Sequence, residues 1–288
     1  MVSAIKLIRP QQWVKNLFLL IPIFFAGEIL NQEFLLPIIL GIVAFSLVAS
    51  SIYVINDIQD IEADRQHPKK KYRPLASGQI SKTTGYIIFV LLAIPGLLLG
   101  AYLDINYLYI LLFYFFLNIG YSAGLKRISI LDMLIVSAGF VLRTVSGGVI
   151  VDVAISHWLL IMIFLLSLFL AIAKRRDDVL VMLESGVSVR KSTKNYNLYF
   201  IDSALTMVSG IIVVAYLMYT ISPEVQERID FSYLYATSIF VITGLMRYLQ
   251  ITLVEKNSSS PVRVLYTDPF IQATLGLWVI SFFIILYI

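Results

Sequence analysis

The sequence predicts an all-α integral membrane protein of about nine transmembrane helices, and three observations carry that expectation. Of its 288 residues, 59% are hydrophobic and 14% charged, with a mean hydropathy of +0.87; a soluble globular chain carries about 25% charged residues. Apolar runs recur nine times, over 13–30, 35–56, 83–103, 105–122, 130–150, 156–173, 200–221, 231–250 and 268–287. Each is near the roughly 20 residues that a helix needs to cross the hydrocarbon layer. The basic residues are also sorted between alternate loops. With a cytoplasmic N-terminus, twenty of the 22 Lys and Arg face the cytoplasm, Arg228 faces outward and Arg143 lies within a span. Such a bias sets orientation, and losing one span would scramble it.

Composition also excludes chemistries. There is no cysteine, so thiol catalysis, disulfides and Cys-built metal sites are ruled out, and with only two histidines a histidine-rich metal site is not expected. The N-terminal apolar run has no small-residue cleavage site and reads as part of the mature protein. No strand, soluble domain or low-complexity tract is visible. The chain therefore reads as one polytopic domain, 1–288, with cytoplasmic loops 57–82, 121–129, 174–199 and 251–267. The outward loops are short and mostly acidic. The two largest cytoplasmic loops each follow an apolar helix and open with charge, a loose similarity of the kind left by a pseudo-repeat.

Taken in order, the first span is interrupted by Pro22 and Gly27. Before it stands Arg9-Pro10-Gln11-Gln12-Trp13-Val14-Lys15-Asn16. Trp13 reads as an aromatic-belt anchor, and Lys15 can snorkel to a phosphate at the membrane surface. The second span runs into Asn56–Gly78, which holds the densest chemistry. Asp57, Asp60 and Asp64 fall at about 0°, 300° and 340° around a helix, so three carboxylates share one face. A solvated acidic helix end explains this, and so does a Mg2+ shared with substrate phosphates. Arg65, His67, Lys69, Lys70, Lys71 and Arg73 follow; part of that charge is positive-inside bias, while Pro68 and Pro74 favour a formed loop. Acid beside base suits a metal-bound polyphosphate.

Later spans add single features. Lys126 and Arg127 occupy the next cytoplasmic turn, and Asp132 opens the fifth span. Arg143 lies 11 residues on, about 20° away and about 16 Å deeper. An arginine there costs about 2.5 kcal/mol or more at the bilayer centre, so it faces either a polar cavity or a structural ion pair. Gly139, Gly147 and Gly148 permit close packing around it. Span six ends in Lys174-Arg175-Arg176-Asp177-Asp178, span eight in Arg247-Tyr248, and Asp268 opens span nine. Charges at these helix ends would line a cup in the inner half of the membrane.

Asn56-Asp57-x-x-Asp60-x-x-x-Asp64 resembles the first aspartate-rich motif of the UbiA superfamily of intramembrane prenyltransferases. By span count and loop order the likeness runs the length of the chain. It implies nine helices around a central cavity opening to the cytoplasm, and a diphosphate held by Mg2+. After span six, aromatic prenyltransferases of this superfamily carry a second motif of the D-x-x-x-D kind, where this chain has cations first. RPQQWVKN at 9–16, DRQHPKKKYRPLASG at 64–78, GFVLRTVSGG at 139–148 and MRYL at 246–249 are similar to the decaprenyl-phosphate phosphoribosyltransferase branch.

That resemblance implies transfer of a 5-phosphoribosyl group from phosphoribosyl diphosphate to a polyprenyl phosphate, releasing diphosphate, for cell-envelope polysaccharide precursors. It implies Mg2+ on Asp57, Asp60 and Asp64, and substrate contacts from Lys15, Asn56, His67, Lys69, Lys70, Arg73 and Lys126. Arg143, Lys174 and Arg175 would clamp the 5-phosphate or the lipid phosphate, with Arg247 and Tyr248 nearby. The isoprenoid would lie in an apolar groove between spans. The setting is a bacterial plasma membrane, with the C-terminus outside, no nucleic-acid partner, and room for a homo-oligomer. Two other readings compete. An aromatic prenyltransferase would need a fuller second acidic motif. A transporter or flippase would need polar residues deep in several spans, where Arg143 is the one strong candidate.

Overall fold

A computed structural model describes residues 2–66, 70–185, 192–227, 229, 231–255, 264 and 266–288. All regular structure among them is helical. The order is α1 (Val2–Ile8), a 3-10 helix (Pro10–Leu20), α2 (Ile21–Phe25), α3 (Gln32–Gln59), α4 (Ile61–Arg65), α5 (Lys82–Leu103), α6 (Ile105–Ala123) and α7 (Leu131–Ile150). Then come α8 (His157–Ser185), α9 (Leu198–Ile221), α10 (Pro223–Gln226), α11 (Ser238–Leu249) with a π turn at Gln250–Val254, and α12 (Pro269–Tyr287). Eight helical stretches among the described residues are long and apolar enough to cross a membrane. They coincide with the expected spans two to nine within a few residues, except that α8 runs twelve residues past its expected end. Its charged end is held in helical form by Arg175 pairing with Asp178 one turn on, and by Arg176 reaching Asp202 on α9.

The first expected span, 13–30, is corrected: it is not one α-helix. Pro10 starts an eleven-residue 3-10 helix, α2 follows with Pro22 near its start, and Gly27 turns the chain at φ 79°. Runs of 3-10 helix beyond three or four residues are uncommon, and a register match with α3 explains this one. Trp13 Nε1 donates to Ser50 Oγ at 2.9 Å and Asn16 Nδ2 donates to Ser46 Oγ at 2.8 Å. Three residues of 3-10 helix and four of α-helix both advance about 6 Å. Every third residue of one can therefore meet every fourth of the other. Asn16 and Leu19 are buried in this row, while Val14 and Leu17 face outward. The 3-10 rise also stretches the chain, so Pro10–Phe25 covers about 30 Å, near the thickness of the hydrocarbon layer.

Helix starts carry the caps that a membrane edge demands, because the first backbone N–H groups have no partner within the helix. Asn31, Ser81, Asp104, Asn197 and Asp268 each accept from an amide two or three residues on. The spans expose apolar side chains, as on α5 and α6 with Leu91, Leu98, Phe113 and Phe116, the surface expected where lipid is the solvent.

Two compact units are distinguished. One comprises Met1–Gly124 and Leu142–Ala154, the other Leu125–Val141 and Ile155–Ile288. In the first, Phe45, Val48, Ala49, Tyr107 and Leu111 make a core under the 3-10 helix, and a second cluster around Ile58 and Leu75 underlies the loop after α4. Gly147 is where α7 meets the 3-10 helix: a Cβ there would stand 2.0 Å from the Leu19 carbonyl oxygen. In the second unit, Phe169, Ile201, Leu205, Tyr248 and Ile251 belong to one core.

Candidate active site

The end of α3 delivers the principal cluster. Asp57 lies in its last turn, 2% exposed, and Asp64 lies on α4, 3% exposed. Asp60 forms the joint between the helices at φ −92°, ψ 5°, and its amide and that of Asp64 still bond to Asn56 and Asp60 carbonyls at 3.0 and 2.8 Å. The helical path is thereby carried through the joint, and the seven-residue spacing brings Asp57 and Asp64 to one side. A single nitrogen joins them: Arg73 Nη1 donates to Asp57 Oδ1 at 3.0 Å and to Asp64 Oδ2 at 2.7 Å. Arg9 Nη2 donates to the same Asp57 oxygen at 2.6 Å, with its guanidinium over the Tyr53 ring at 5.2 Å.

Both arginines are held by backbone as well. Arg9 sits in the left-handed region, φ 58°, directly before Pro10; a non-glycine residue is uncommon there, and proline disfavours helical conformations before it. Arg73 belongs to the loop after α4, where its amide bonds Lys70 and its carbonyl accepts from Ser77, both at 2.9 Å. Arg65 Nε reaches back to the Ala76 carbonyl at 3.2 Å, and buried Leu75 anchors the loop. Lys70 lies in its opening turn. His67 and Lys69, expected to touch phosphate, lie outside the described residues. Among the described residues, no group of three or more Asp, Glu, His or Cys stands ready to hold a metal ion alone.

Arg143 is buried on α7 at 5% exposure. Nε donates to Asn16 Oδ1 at 2.8 Å and Nη2 to the Tyr114 hydroxyl at 2.9 Å. The guanidinium lies 4.8 Å from the Phe45 ring centre and 4.9 Å from that of Tyr114. Desolvated cation–π contacts reach about 2 kcal/mol, so ring faces and an amide oxygen offset much of the cost of burying the charge. Asn16 thus ties Arg143 to Ser46, connecting α7, the 3-10 helix and α3.

In the second unit, Arg175, expected to clamp a phosphate, is paired with carboxylates of the chain itself. Arg175 is 3% exposed, its Nε donates to fully buried Asp132 at 2.7 Å, and its Nη1 donates to Asp178 at 3.0 Å. Asp132 also accepts from Ser192 Oγ and the Tyr196 hydroxyl, each at 3.2 Å. Tyr196 in turn accepts the N–H of Ile130, a β-branched residue at φ 69° that needs such support. Burial pushes the Tyr196 phenol above its ordinary pKa, the Ile130 amide pulling the other way. Tyr248, expected near the substrate, is buried, with its ring 5.1 Å from Phe169. Arg247 is engaged by Asp268, Glu255 and Gln250. Lys174 is exposed, and Lys126 is half-buried in the turn Leu125–Arg127.

Arg9 and Asn16 stand outside the residues that the sequence assigns to the site, although they flank Trp13, read as an interface anchor, and Lys15, read as a phosphate contact. The three-residue spacing of Trp13, Asn16 and Leu19, following an Arg-Pro pair, is the signal that could have found them.

The model of the UbiA prenyltransferase family matches residues 17–267. A decaprenyl-phosphate phosphoribosyltransferase of Mycolicibacterium smegmatis is 33% identical over 256 residues, 85% of this chain and 80% of its own. One of Corynebacterium glutamicum is 31% identical over 299 aligned residues, 99% of this chain and 87% of its own. Among solved structures, a UbiA homolog from Archaeoglobus fulgidus bound to DMAPP and Mg2+ superposes with a TM-score of 0.71 at 18% identity, covering 99% of both chains. That last likeness concerns the fold.

Proposed function

Because the chain belongs to the UbiA prenyltransferase family and is an integral membrane transferase, we propose that it transfers a 5-phosphoribosyl group from phosphoribosyl diphosphate to a polyprenyl phosphate. The observation that carries this reading is the cluster at the end of α3. Asp57 and Asp64 share one nitrogen of Arg73, and Arg9 donates to Asp57 as well. Their surroundings are basic, as a donor with a diphosphate and a separate 5-phosphate requires. The names of the relatives support the same choice.

In this reading Asp57 and Asp64, with Asp60 at the joint, would hold Mg2+. The fit rests on geometry and donor type: two carboxylate oxygens already converge on one cationic nitrogen. Mg2+ favours one or two carboxylates completed by water and substrate phosphates. When bound, such an ion neutralises charge on the departing diphosphate. Arg73, Lys70 and Asn56, with His67 and Lys69 from the same run, bind the diphosphate. Lys15, able to snorkel to the membrane surface, serves the lipid phosphate. A lipid phosphate oxygen bonds to C1 of the ribose as the C1–O bond to diphosphate breaks. The acceptor is already an oxyanion near neutral pH, so positioning and charge stabilisation suffice without a general base.

The sorting of basic residues supports a cytoplasmic N-terminus and cytoplasmic active site in a bacterial plasma membrane, and the product would serve cell-envelope synthesis. The test is purified protein in detergent with radiolabelled phosphoribosyl diphosphate, polyprenyl phosphate and Mg2+. Label is expected in the lipid phase. No lipid label, with activity instead on a prenyl diphosphate and an aromatic acid, would overturn the reading.

A further inference from the structure

We infer that Arg73 is an exchange cation: it stands between Asp57 and Asp64, and it leaves them for a phosphate oxygen when a metal-bound diphosphate arrives. The site then takes up metal together with diphosphate and only weakly before it. This rests on the proposed function in one respect, that the donor is a metal-bound diphosphate.

Three features support the exchange. The first is position, since one nitrogen of Arg73 serves both carboxylates, at 3.0 and 2.7 Å, and so stands where a shared cation would bridge them. The second is charge. Asp57 and Asp64 are almost fully buried and matched by two guanidiniums, Arg9 and Arg73. A carboxylate stripped of its cation in such a place is costly, so Arg73 leaves only as another cation enters. A divalent ion entering alone would add two charges while pushing Arg73 away without a partner. Arriving with diphosphate, it brings the anion that receives Arg73, and a guanidinium is well shaped to hold phosphate through two parallel N–H bonds.

The third is the difference between the two arginines. Arg9 is fixed by a left-handed backbone, by Pro10 and by the Tyr53 ring. Arg73 projects from a loop whose backbone is tied down independently, through Ser77, Lys70 and the Arg65–Ala76 contact. The side chains are similarly exposed, 27% for Arg73 and 21% for Arg9, so the tether separates them, and Arg73 can swing without unfolding its loop. Arg9 stays on Asp57, and Arg73 moves.

The consequence is a coupling between metal and diphosphate that must be reciprocal. Binding of Mn2+ to the full chain in detergent, read by electron paramagnetic resonance at controlled free Mn2+ with and without inorganic diphosphate, measures it. Wild type is expected to bind Mn2+ about tenfold or more tightly with diphosphate than without, within the usual range of such couplings. Arg73→Gln is expected to bind Mn2+ alone about tenfold more tightly than wild type, while its affinity for diphosphate at saturating Mn2+ falls. Arg73→Lys, which keeps a cation, is expected to stay near wild type for Mn2+ alone. A pure phosphate clamp predicts unchanged Mn2+ affinity in Arg73→Gln, and a purely structural arginine predicts loss of both affinities; either result overturns the exchange. If Arg73→Gln folds poorly, Mn2+ should restore its melting temperature, and failure to do so also overturns it. Wild type that binds Mn2+ tightly without coupling removes the exchange and leaves the proposed function standing. Wild type that takes no Mn2+ even with diphosphate removes the metal reading, and the exchange with it.

Discussion

Two aspartate–arginine clusters, one in each compact unit, are built from the same residue types to opposite ends. Asp132 is fully buried and receives Arg175, Ser192 and Tyr196, and Arg175 is itself 3% exposed with Asp178 as a further partner. Both partners are buried within the chain. Asp57 and Asp64 are buried too, yet the arginine that bridges them is partly exposed and comes from a loop. Burial of the carboxylate is common to both, so it cannot be the mark of function. What differs is whether the cation can leave. A saturated pair fixes the local fold, whereas a pair bridged by a partly exposed guanidinium from a loop can trade it for substrate.

The largest effects should separate the clusters by what is lost. Asp57→Asn keeps the shape but halves the bridge, and transfer in the radiolabel assay is expected to fall by about two to three orders of magnitude or more, with folded protein still recovered. Full activity would remove Asp57 from the reacting site. Asp132→Ala is expected to cost about 3–5 kcal/mol of stability, because it strands a buried Arg175. Folded molecules should keep their KM for phosphoribosyl diphosphate. Replacing both partners, Asp132→Leu with Arg175→Met, should recover most of the loss in thermal melts. A raised KM with an intact melting temperature would instead make Arg175 a ligand and erase the contrast.

Most of the helical frame was legible because its signal is additive over some twenty residues per span: the expected 83–103 and 130–150 are observed as Lys82–Leu103 and Leu131–Ile150. The first span was not, because a 3-10 run carries a three-residue period that helical and apolar-run criteria do not look for. Its reason to exist is the pairing of Trp13 and Asn16 with Ser50 and Ser46, thirty or more residues away. The meeting of Asp57 and Asp64 was legible from their spacing. The destinations of the arginines were not. Arg73 to Asp57, Arg9 to Asp57 and Arg175 to Asp132 span 16, 48 and 43 residues, and a long flexible side chain carries no local pattern that names its partner.

A smaller effect tests the packing behind the first cluster. The chain runs from Arg9, on Asp57, along the 3-10 helix to Leu19, whose carbonyl is approached closely by α7 at Gly147. Gly147→Ala would place a methyl against backbone that cannot swing aside, an overpacking expected to cost about 1–3 kcal/mol. The same shift would disturb Asn16 and Arg143, so Mn2+–diphosphate affinity should weaken along with the melting temperature. Loss of stability with unchanged ligand affinity would show that the 3-10 helix does not transmit position to Asp57.

The smallest effect comes from a third pairing, Arg247 with Asp268, which serves as the surface control for the two buried ones. Asp268 caps α12, accepting the Ile271 amide at 2.9 Å, and receives Arg247 at 2.8 Å. The Arg247 hydrogen bond, helped by the Ile271 amide, holds its carboxyl below the ordinary aspartate pKa. A depressed carboxylate contributes stability that is present above its unfolded pKa, about 3.9, and is lost as pH falls through the lower folded value. Asp268→Asn keeps a capping oxygen and loses only the charge, so the cost should be about 1 kcal/mol or less. The gap in melting temperature from wild type should hold steady near neutral pH and close in acid below roughly pH 4. A gap as large as that of Asp132→Ala, or one indifferent to acid, would mean that this pair is structural in the manner of Asp132 and that exposure of the arginine does not distinguish the clusters.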